Sequence, residues 1–222
     1  MPVAIAIDGP AGAGKSTIAK TAAKELNFIY VDTGALYRTV GLAATRKGVE
    51  AIPSKEVDEL LKNIRVELTF NDENQQVVLL DGEDVSELIR TPEASMMASA
   101  ISAVPAVREY LLDLQRNIAK RHNVIMDGRD IGTVVLPDAK IKIFLYAEPE
   151  DRAKRRYDEL IAKGMDVNYE DILKDVKQRD YNDSHRDIAP LKPAKDSIMV
   201  NTTGNTLEQS VQLLIKIMKE NM

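Results

Sequence analysis

Gly9-Pro10-Ala11-Gly12-Ala13-Gly14-Lys15-Ser16 is the stretch that decides how the rest of this 222-residue chain is read. It fits the spacing G-x-x-x-x-G-K-[ST] without a gap. An apolar run at 3–7 precedes it and a helical pattern at 15–26 follows, which is the context that spacing requires. Each residue type has a physical task. Glycines let the backbone curl until several N–H groups point at one anion, and a helix start adds partial positive charge there. Lys15 puts a cation on the β and γ phosphates of a nucleoside triphosphate. Ser16 offers a hydroxyl to Mg²⁺, a cation that prefers oxygen ligands. Gly9, Pro10, Ala11, Gly12, Ala13, Gly14, Lys15, Ser16 and Thr17 are therefore the expected contacts to ATP.

Outward from this loop, short apolar runs alternate with longer helical patterns. Strands are expected at 3–7, 28–31, 123–126, 141–146 and 197–200. Between them, apolar residues recur at helical spacing, as in Val107, Tyr110, Leu111, Leu114, Ile118 and in Leu207, Val211, Leu214, Ile215, Met218. That alternation predicts an α/β fold with a five-stranded parallel sheet covered by helices, which binds ligands beyond the carboxyl ends of its strands. Residues 66–70 and 77–80 break the rhythm. They flank a polar turn at 71–76 and lead to Asp81-Gly82, which predicts a small antiparallel insert. Thr91 before Pro92 predicts a capped helix start. Residues 151–187 are densely charged and helical in pattern, and Pro190 and Pro193 mark the return to the core.

Composition narrows the function classes. With 35 acidic and 30 basic side chains the formal charge is −5, so no global field draws the chain onto nucleic acid or an anionic membrane. The absence of cysteine excludes thiolate chemistry and disulfides, and two histidines, His122 and His185, leave no basis for a histidine metal site. The opening MPVAIAIDG has no basic leader, and no apolar stretch approaches a membrane span. These features predict a cytoplasmic protein, and with no isolated apolar stripe in view it is expected to act as a monomer.

The loop implies a nucleoside triphosphate but not its use. No Asn is followed by Lys, so the guanine-reading Asn-Lys-x-Asp is absent. A small kinase needs a second anion site facing the first, because two anionic nucleotides repel until cations screen them. Three segments offer one. Asp32-Thr33-Gly34-Ala35-Leu36-Tyr37-Arg38 follows the second strand; Gly34 is expected to make a tight strand-to-helix turn, and Arg38 to stand on the first turn of the next helix. Asp127-Gly128-Arg129-Asp130 follows the third strand. There Asp127 suits the water shell of Mg²⁺, Arg129 a bidentate grip on phosphate, and Asp130 a sugar or base. Third, Arg152, Arg155 and Arg156 share one helix face, as do Arg179, Asp183 and Arg186. A mobile arm bearing arginines would close over bound substrates and exclude water. No general base is evident, and an acceptor phosphate needs none.

These segments closely resemble the bacterial cytidylate kinases, within the nucleoside monophosphate kinases. The likeness is carried in order by IDGPAGAGKST (7–17), DTGALYR (32–38), DGEDVSELIR (81–90), VIMDGRDIGTVVLPDA (124–139), KIFLYA (142–147) and the region 179–193. The resemblance implies one domain, 1–222, with a core (1–34, 104–150, 188–222), a monophosphate arm (35–103) carrying the antiparallel insert, and a lid (151–187). It implies phosphorylation of CMP and dCMP by Mg²⁺·ATP, with UMP the alternative acceptor. Ser99, Arg108 and Asp130 would read the cytosine ring, Arg179 and Asp183 would hold the ribose, and Arg38, Arg129 and Arg186 the acceptor phosphate, beside Asp32, Thr33 and Tyr37. Arg152, Arg155 and Arg156 would be lid residues near the ATP phosphates. Lys15, Arg129, Arg152, Arg155 and Arg186 would be the catalytic cations, with Ser16 and, through water, Asp127 at the metal.

Overall fold

The structure, a computed structural model, describes residues 2–73 and 75–222, apart from the side chain of Pro92. Asn74, inside the polar turn expected at 71–76, lies outside the described residues. In chain order the elements are β1 (Ala4–Asp8), α1 (Lys15–Leu26), β2 (Ile29–Asp32), α2 (Thr33–Lys47), α3 (Lys55–Asn63), β3 (Val66–Phe70), β4 (Gln76–Leu80), β5 (Glu83–Asp84), α4 (Pro92–Ile101), α5 (Pro105–Arg121), β6 (Val124–Gly128), a single π-helical segment (Ile131–Val135), β7 (Ile141–Tyr146), α6 (Pro149–Ala162), α7 (Tyr169–His185), β8 (Ile198–Asn201) and α8 (Leu207–Asn221).

The fold class is the expected one. A five-stranded sheet has the order β2-β6-β1-β7-β8, and a separate three-stranded sheet the order β3-β4-β5. β1 and β7 run parallel with Ile5 opposite Ile141, and β7 and β8 run parallel with Ile143 opposite Ile198. β3 and β4 are antiparallel with Val66 opposite Leu80. Among the described residues no helix is long and apolar enough to cross a membrane.

Contacts divide the chain into two compact units, Met1–Val3 with Ile29–Val124, and Ala4–Phe28 with Ile125–Met222. The second holds the glycine-rich loop. Its strands are near-continuous apolar runs, with Ile5, Ile7, Ile125, Met126, Ile143 and Leu145 buried, as a parallel sheet covered on both faces demands. α1 and α8 pack on each other. α8 starts with a capping box between Thr206 and Gln209 and buries Val211, Leu214, Ile215 and Met218 of the predicted stripe, whereas Leu207, at the first position of the helix, is exposed.

The first unit has its own core, built from Leu36 and Val40 of α2, Val57 of α3, Val66, Val78 and Leu80 of the small sheet, and Val107 and Leu111 of α5. Thr91 caps α4 by accepting from the Ala94 N–H at 3.1 Å, as expected. The charged segment is two helices, α6 and α7, because Gly164 adopts positive φ and breaks the helical run after Ala162.

Candidate functional site

The glycine-rich loop turns tightly against β7. A Cβ placed on Gly9 would stand 1.9 Å from the Leu145 carbonyl oxygen, so no other residue fits there. α1 then starts after Gly14 with no side-chain cap and no acidic residue in its first turn. Its first amides and dipole are thereby left for an anion. Lys15 is only 5% exposed, and its ammonium donates to the Pro10 carbonyl at 2.7 Å, inside its own loop. Burial lowers its pKa to about 7, helped by repulsion from Arg129 and opposed by Asp127 and Asp8. A phosphate arriving at this amine would restore its charge.

Ser16 Oγ donates to Asp127 Oδ2 at 2.9 Å, so the two residues expected at a metal bring their oxygens to one point. Arg152 is buried and reaches the loop directly. Its guanidinium donates to the Ala11 carbonyl at 2.9 Å, to the Ala147 carbonyl at 2.9 Å, and to Asp180 in a fork. Arg155 donates to the Thr202 carbonyl at 2.7 Å and pairs with Asp151 at 2.5 Å. Its Nη1 lies 3.9 Å from where a Cβ on Gly14 would stand. Arg156 is turned instead to Glu159, at 3.4 Å, and is half-exposed.

The DGRD segment straddles an element boundary. Asp127 and Gly128 end β6, and Asp130 precedes the π-helical segment, where Leu136 N–H donates to the Ile131 carbonyl five residues back, at 2.7 Å. Arg129 Nε donates to Asp183 at 2.8 Å. Arg186 donates to the Ala189 carbonyl at 2.7 Å and lies 3.5 Å from Asp130. Burial raises the Asp183 carboxyl, but Arg129, Arg179 and Arg186 outweigh it and hold the group below the ordinary carboxylate range. Arg129, Asp130, Arg179, Asp183 and Arg186 therefore form one cluster, and Arg129 and Arg179 act electrostatically on Lys15.

In the first unit, Asp32 ends β2 and caps α2. Its Oδ1 accepts from the Ala35 N–H at 3.0 Å, and its Oδ2 from Arg38 at 2.7 Å. The helix therefore begins at Thr33, and Arg38 stands on its second turn, not the first. Gly34 is helical and makes no turn. Its lack of a side chain instead gives room, because a Cβ there would lie 3.0 Å from Arg38 Nη1 and 3.1 Å from Asp32 Oδ1. Thr33 and Tyr37 are buried on α2. The Arg108 guanidinium lies over the Tyr37 ring, 5.6 Å from its centroid, and donates to the Ser102 carbonyl at 3.2 Å. Ser102 Oγ in turn donates to the Ser99 carbonyl at 2.9 Å, so Arg108 meets Tyr37 directly and is linked to Ser99 only through Ser102.

A family model described as "Cytidylate kinase" matches residues 5–220. The chain belongs to the cytidylate kinase family. A protein named cytidylate kinase from Caldicellulosiruptor saccharolyticus is 49% identical over 96% of this chain and 94% of its own length. One from Thermosipho melanesiensis is 47% identical over 99% and 98%. An uncharacterized protein from Eubacterium ventriosum, solved by crystallography, matches with a TM-score of 0.54 at 15% identity over 99% of each chain, a likeness of fold alone.

The geometry of this cytidylate kinase family member adds one acidic residue that sequence reading passed over. Asp8 ends β1, is 2% exposed, and accepts from the Ile131 and Gly132 N–H groups at 2.7 Å each. It pins the π-helical segment directly behind Asp130. Burial raises its pKa to about 6 against the two backbone donors, with Asp130 raising it further and Lys15 lowering it. The signal was present: an Asp at the end of an apolar strand is the pattern that singled out Asp127.

Proposed function

We propose that the protein transfers the γ-phosphoryl group of ATP to the phosphate of CMP and dCMP, giving CDP and dCDP with ADP as the leaving product. The observation that carries this reading is the cation cluster in the unit of the glycine-rich loop. Arg152 grips Ala11 of the loop, and in the same unit Arg129 pairs with Asp183 at 2.8 Å and Arg186 with Asp130 at 3.5 Å. Family membership supplies the acceptor, since the relatives are named cytidylate kinases.

Chemically, an oxygen of the acceptor phosphate attacks the γ phosphorus while the bond to the β-bridging oxygen breaks. Positioning and charge neutralisation carry such a step. The loop amides and Lys15 hold the β and γ phosphates, with Pro10 to Thr17 lining them. Arg152 and Arg155, with Arg156 as an outer contact, neutralise charge developing on the transferred group. Arg38, Arg129 and Arg186 hold the acceptor phosphate, Arg179 and Asp183 the ribose, and Ser99, Arg108 and Asp130 the cytosine ring, with Asp32, Thr33 and Tyr37 shaping the acceptor segment. Residues 35–103 serve as the acceptor arm and 151–187 as the lid.

Ser16 and Asp127 fit Mg²⁺, having oxygen donors 2.9 Å apart. Among the described residues no group of three or more His, Cys, Asp or Glu could hold a metal alone, so substrate phosphates and water would complete the shell. When bound, the ion screens the charge of the β and γ phosphates. A monomer in the cytoplasm with only small-molecule substrates suits this role.

A coupled assay of ADP release over CMP, dCMP, UMP, AMP and GMP tests the reading. CMP and dCMP are expected to be preferred. Equal rates with UMP would replace the stated specificity with a broader pyrimidine acceptor, and no rate with any monophosphate would overturn the function.

A further inference from the structure

The three-stranded sheet makes one polar contact whose position is not explained by packing. Gln76 opens β4, and its side-chain amide pairs with the main chain of Asp32: Oε1 accepts from the Asp32 N–H at 2.8 Å and Nε2 donates to the Asp32 carbonyl at 3.2 Å. A carboxamide carries the same donor and acceptor pair as a peptide group, so Gln76 pairs with Asp32 as a strand would. Only one orientation of the amide satisfies both contacts, so the assignment of oxygen and nitrogen follows from the chemistry.

Asp32 is thereby fixed at every polar atom. The sheet holds its main chain, while its carboxylate caps α2 through Ala35 and pairs with Arg38. The sheet also grips the other end of the same helix, where Arg46 of the last turn forms a fork with Glu83 of β5 at 2.6 and 2.9 Å. Between these points Val66, Val78 and Leu80 share a core with Leu36 and Val40 of α2. The sheet lies along α2 as a splint with two polar ends. One end is exposed and remote from Arg38. The other acts on the residue that aims Arg38.

We propose that Gln76 is a positioning residue for the acceptor nucleotide: by holding the main chain of Asp32, it sets the start of α2 and with it the direction of Arg38. This rests on the reading of the Asp32–Arg38 segment as an acceptor site. Without Gln76 the Asp32 peptide would be satisfied by water, the cap would wander, and Arg38 would spend less time in the productive geometry. An acceptor misplaced in this way loses rate and apparent affinity together, while the triphosphate loop in the other unit is untouched.

Steady-state kinetics on Gln76→Met, which keeps length and removes both hydrogen bonds, and on Gln76→Ala test this, with Arg46→Ala as the control that cuts the far end of the splint. KM for CMP is expected to rise about tenfold in both Gln76 variants, because Arg38 is no longer held in the geometry that grips the acceptor. KM for ATP should stay at the wild-type value, and Arg46→Ala should leave both constants unchanged. Gln76→Met guards against a folding defect in the alanine variant, and thermal melts of all three report it. An unchanged KM for CMP, an equal loss for both substrates, or an equal rise in Arg46→Ala would each overturn the proposal. Wild type is assayed first over all monophosphates. If it prefers another acceptor, the stated specificity fails, and the Gln76 comparison is made on that acceptor. If it turns over none, the functional reading fails and the role of Gln76 falls with it.

Discussion

The starts of α1 and α2 invite comparison, because both helices follow a strand that ends in aspartate or leads directly from one, yet they are built in opposite ways. At α1 the preceding carboxylate, Asp8, is turned onto the Ile131 and Gly132 amides, and no side chain caps the helix. At α2 the preceding carboxylate, Asp32, is turned onto the helix itself, capping Ala35 and pairing with Arg38. The first arrangement leaves backbone donors and the helix dipole available to an anion. The second uses them internally, so an anion there must be held by a side chain. A phosphate-rich donor nucleotide suits the first, and an acceptor with one phosphate and a base to be read suits the second.

The largest effect expected from breaking this contrast is at the α1 end. Lys15→Ala should lower kcat by about a thousandfold or more with the fold retained by circular dichroism, as losses of charge stabilisation in transfer reactions do. Turnover within about tenfold of wild type would contradict the phosphate role of the lysine. Arg152→Ala should follow. It strips donors from the Ala11 and Ala147 carbonyls and leaves Asp180 without its fork, so stability should fall by about 2–3 kcal/mol in urea titrations and kcat by about a hundredfold.

Asp8 provides a test by pH. Its pKa is about 6 in the folded protein against 3.8 ordinarily, so the folded state binds the proton more tightly than the unfolded chain. This group's contribution to stability is therefore expected to fall as pH rises from about 4 through about 6, and to level off only once pH is well above the folded value. Denaturation curves across this range check it, and Asp8→Asn should flatten that part of the slope. A slope unchanged by the substitution would show that Asp8 is not the group responsible.

Smaller and more selective effects belong to the acceptor. Arg179→Ala should raise KM for CMP by about tenfold and KM for ATP far less; an equal loss for both would count against its assignment to the ribose. The smallest change sharpens the comparison most. Asp32→Asn keeps a good helix cap but removes the charge that holds Arg38, so stability should move by less than about 0.5 kcal/mol while KM for CMP rises a few-fold. A stability loss as large as that of a missing cap would mean that Asp32 serves the helix alone.

Much of this was legible in the chain itself. β7, α1 and β3 stand at their expected residues, since strong apolar runs and the Gly14-Lys15 junction leave little freedom in placing them. The charged segment 151–187 reads along the chain as one helical pattern, and positive φ at Gly164 divides it into α6 and α7. Arg38 stands one turn further into its helix than the sequence predicts, because the Asp32 cap, which starts the helix at once, depends on a side-chain rotamer.

The sequence by itself determined the parallel α/β architecture, the triphosphate loop, and the residue types that any phosphoryl transfer between two anions requires, because these follow from periodicity and from motifs whose parts are neighbours along the chain. The tertiary structure alone decided which partners those residues keep. Ser16 meets Asp127 across 111 positions, Arg152 reaches Ala11 across 141, and Asp8 reaches Gly132 across 124. Such pairings arise when strands distant in sequence are laid side by side and end at a common edge, and no local pattern records which carboxylate will face which donor once they do.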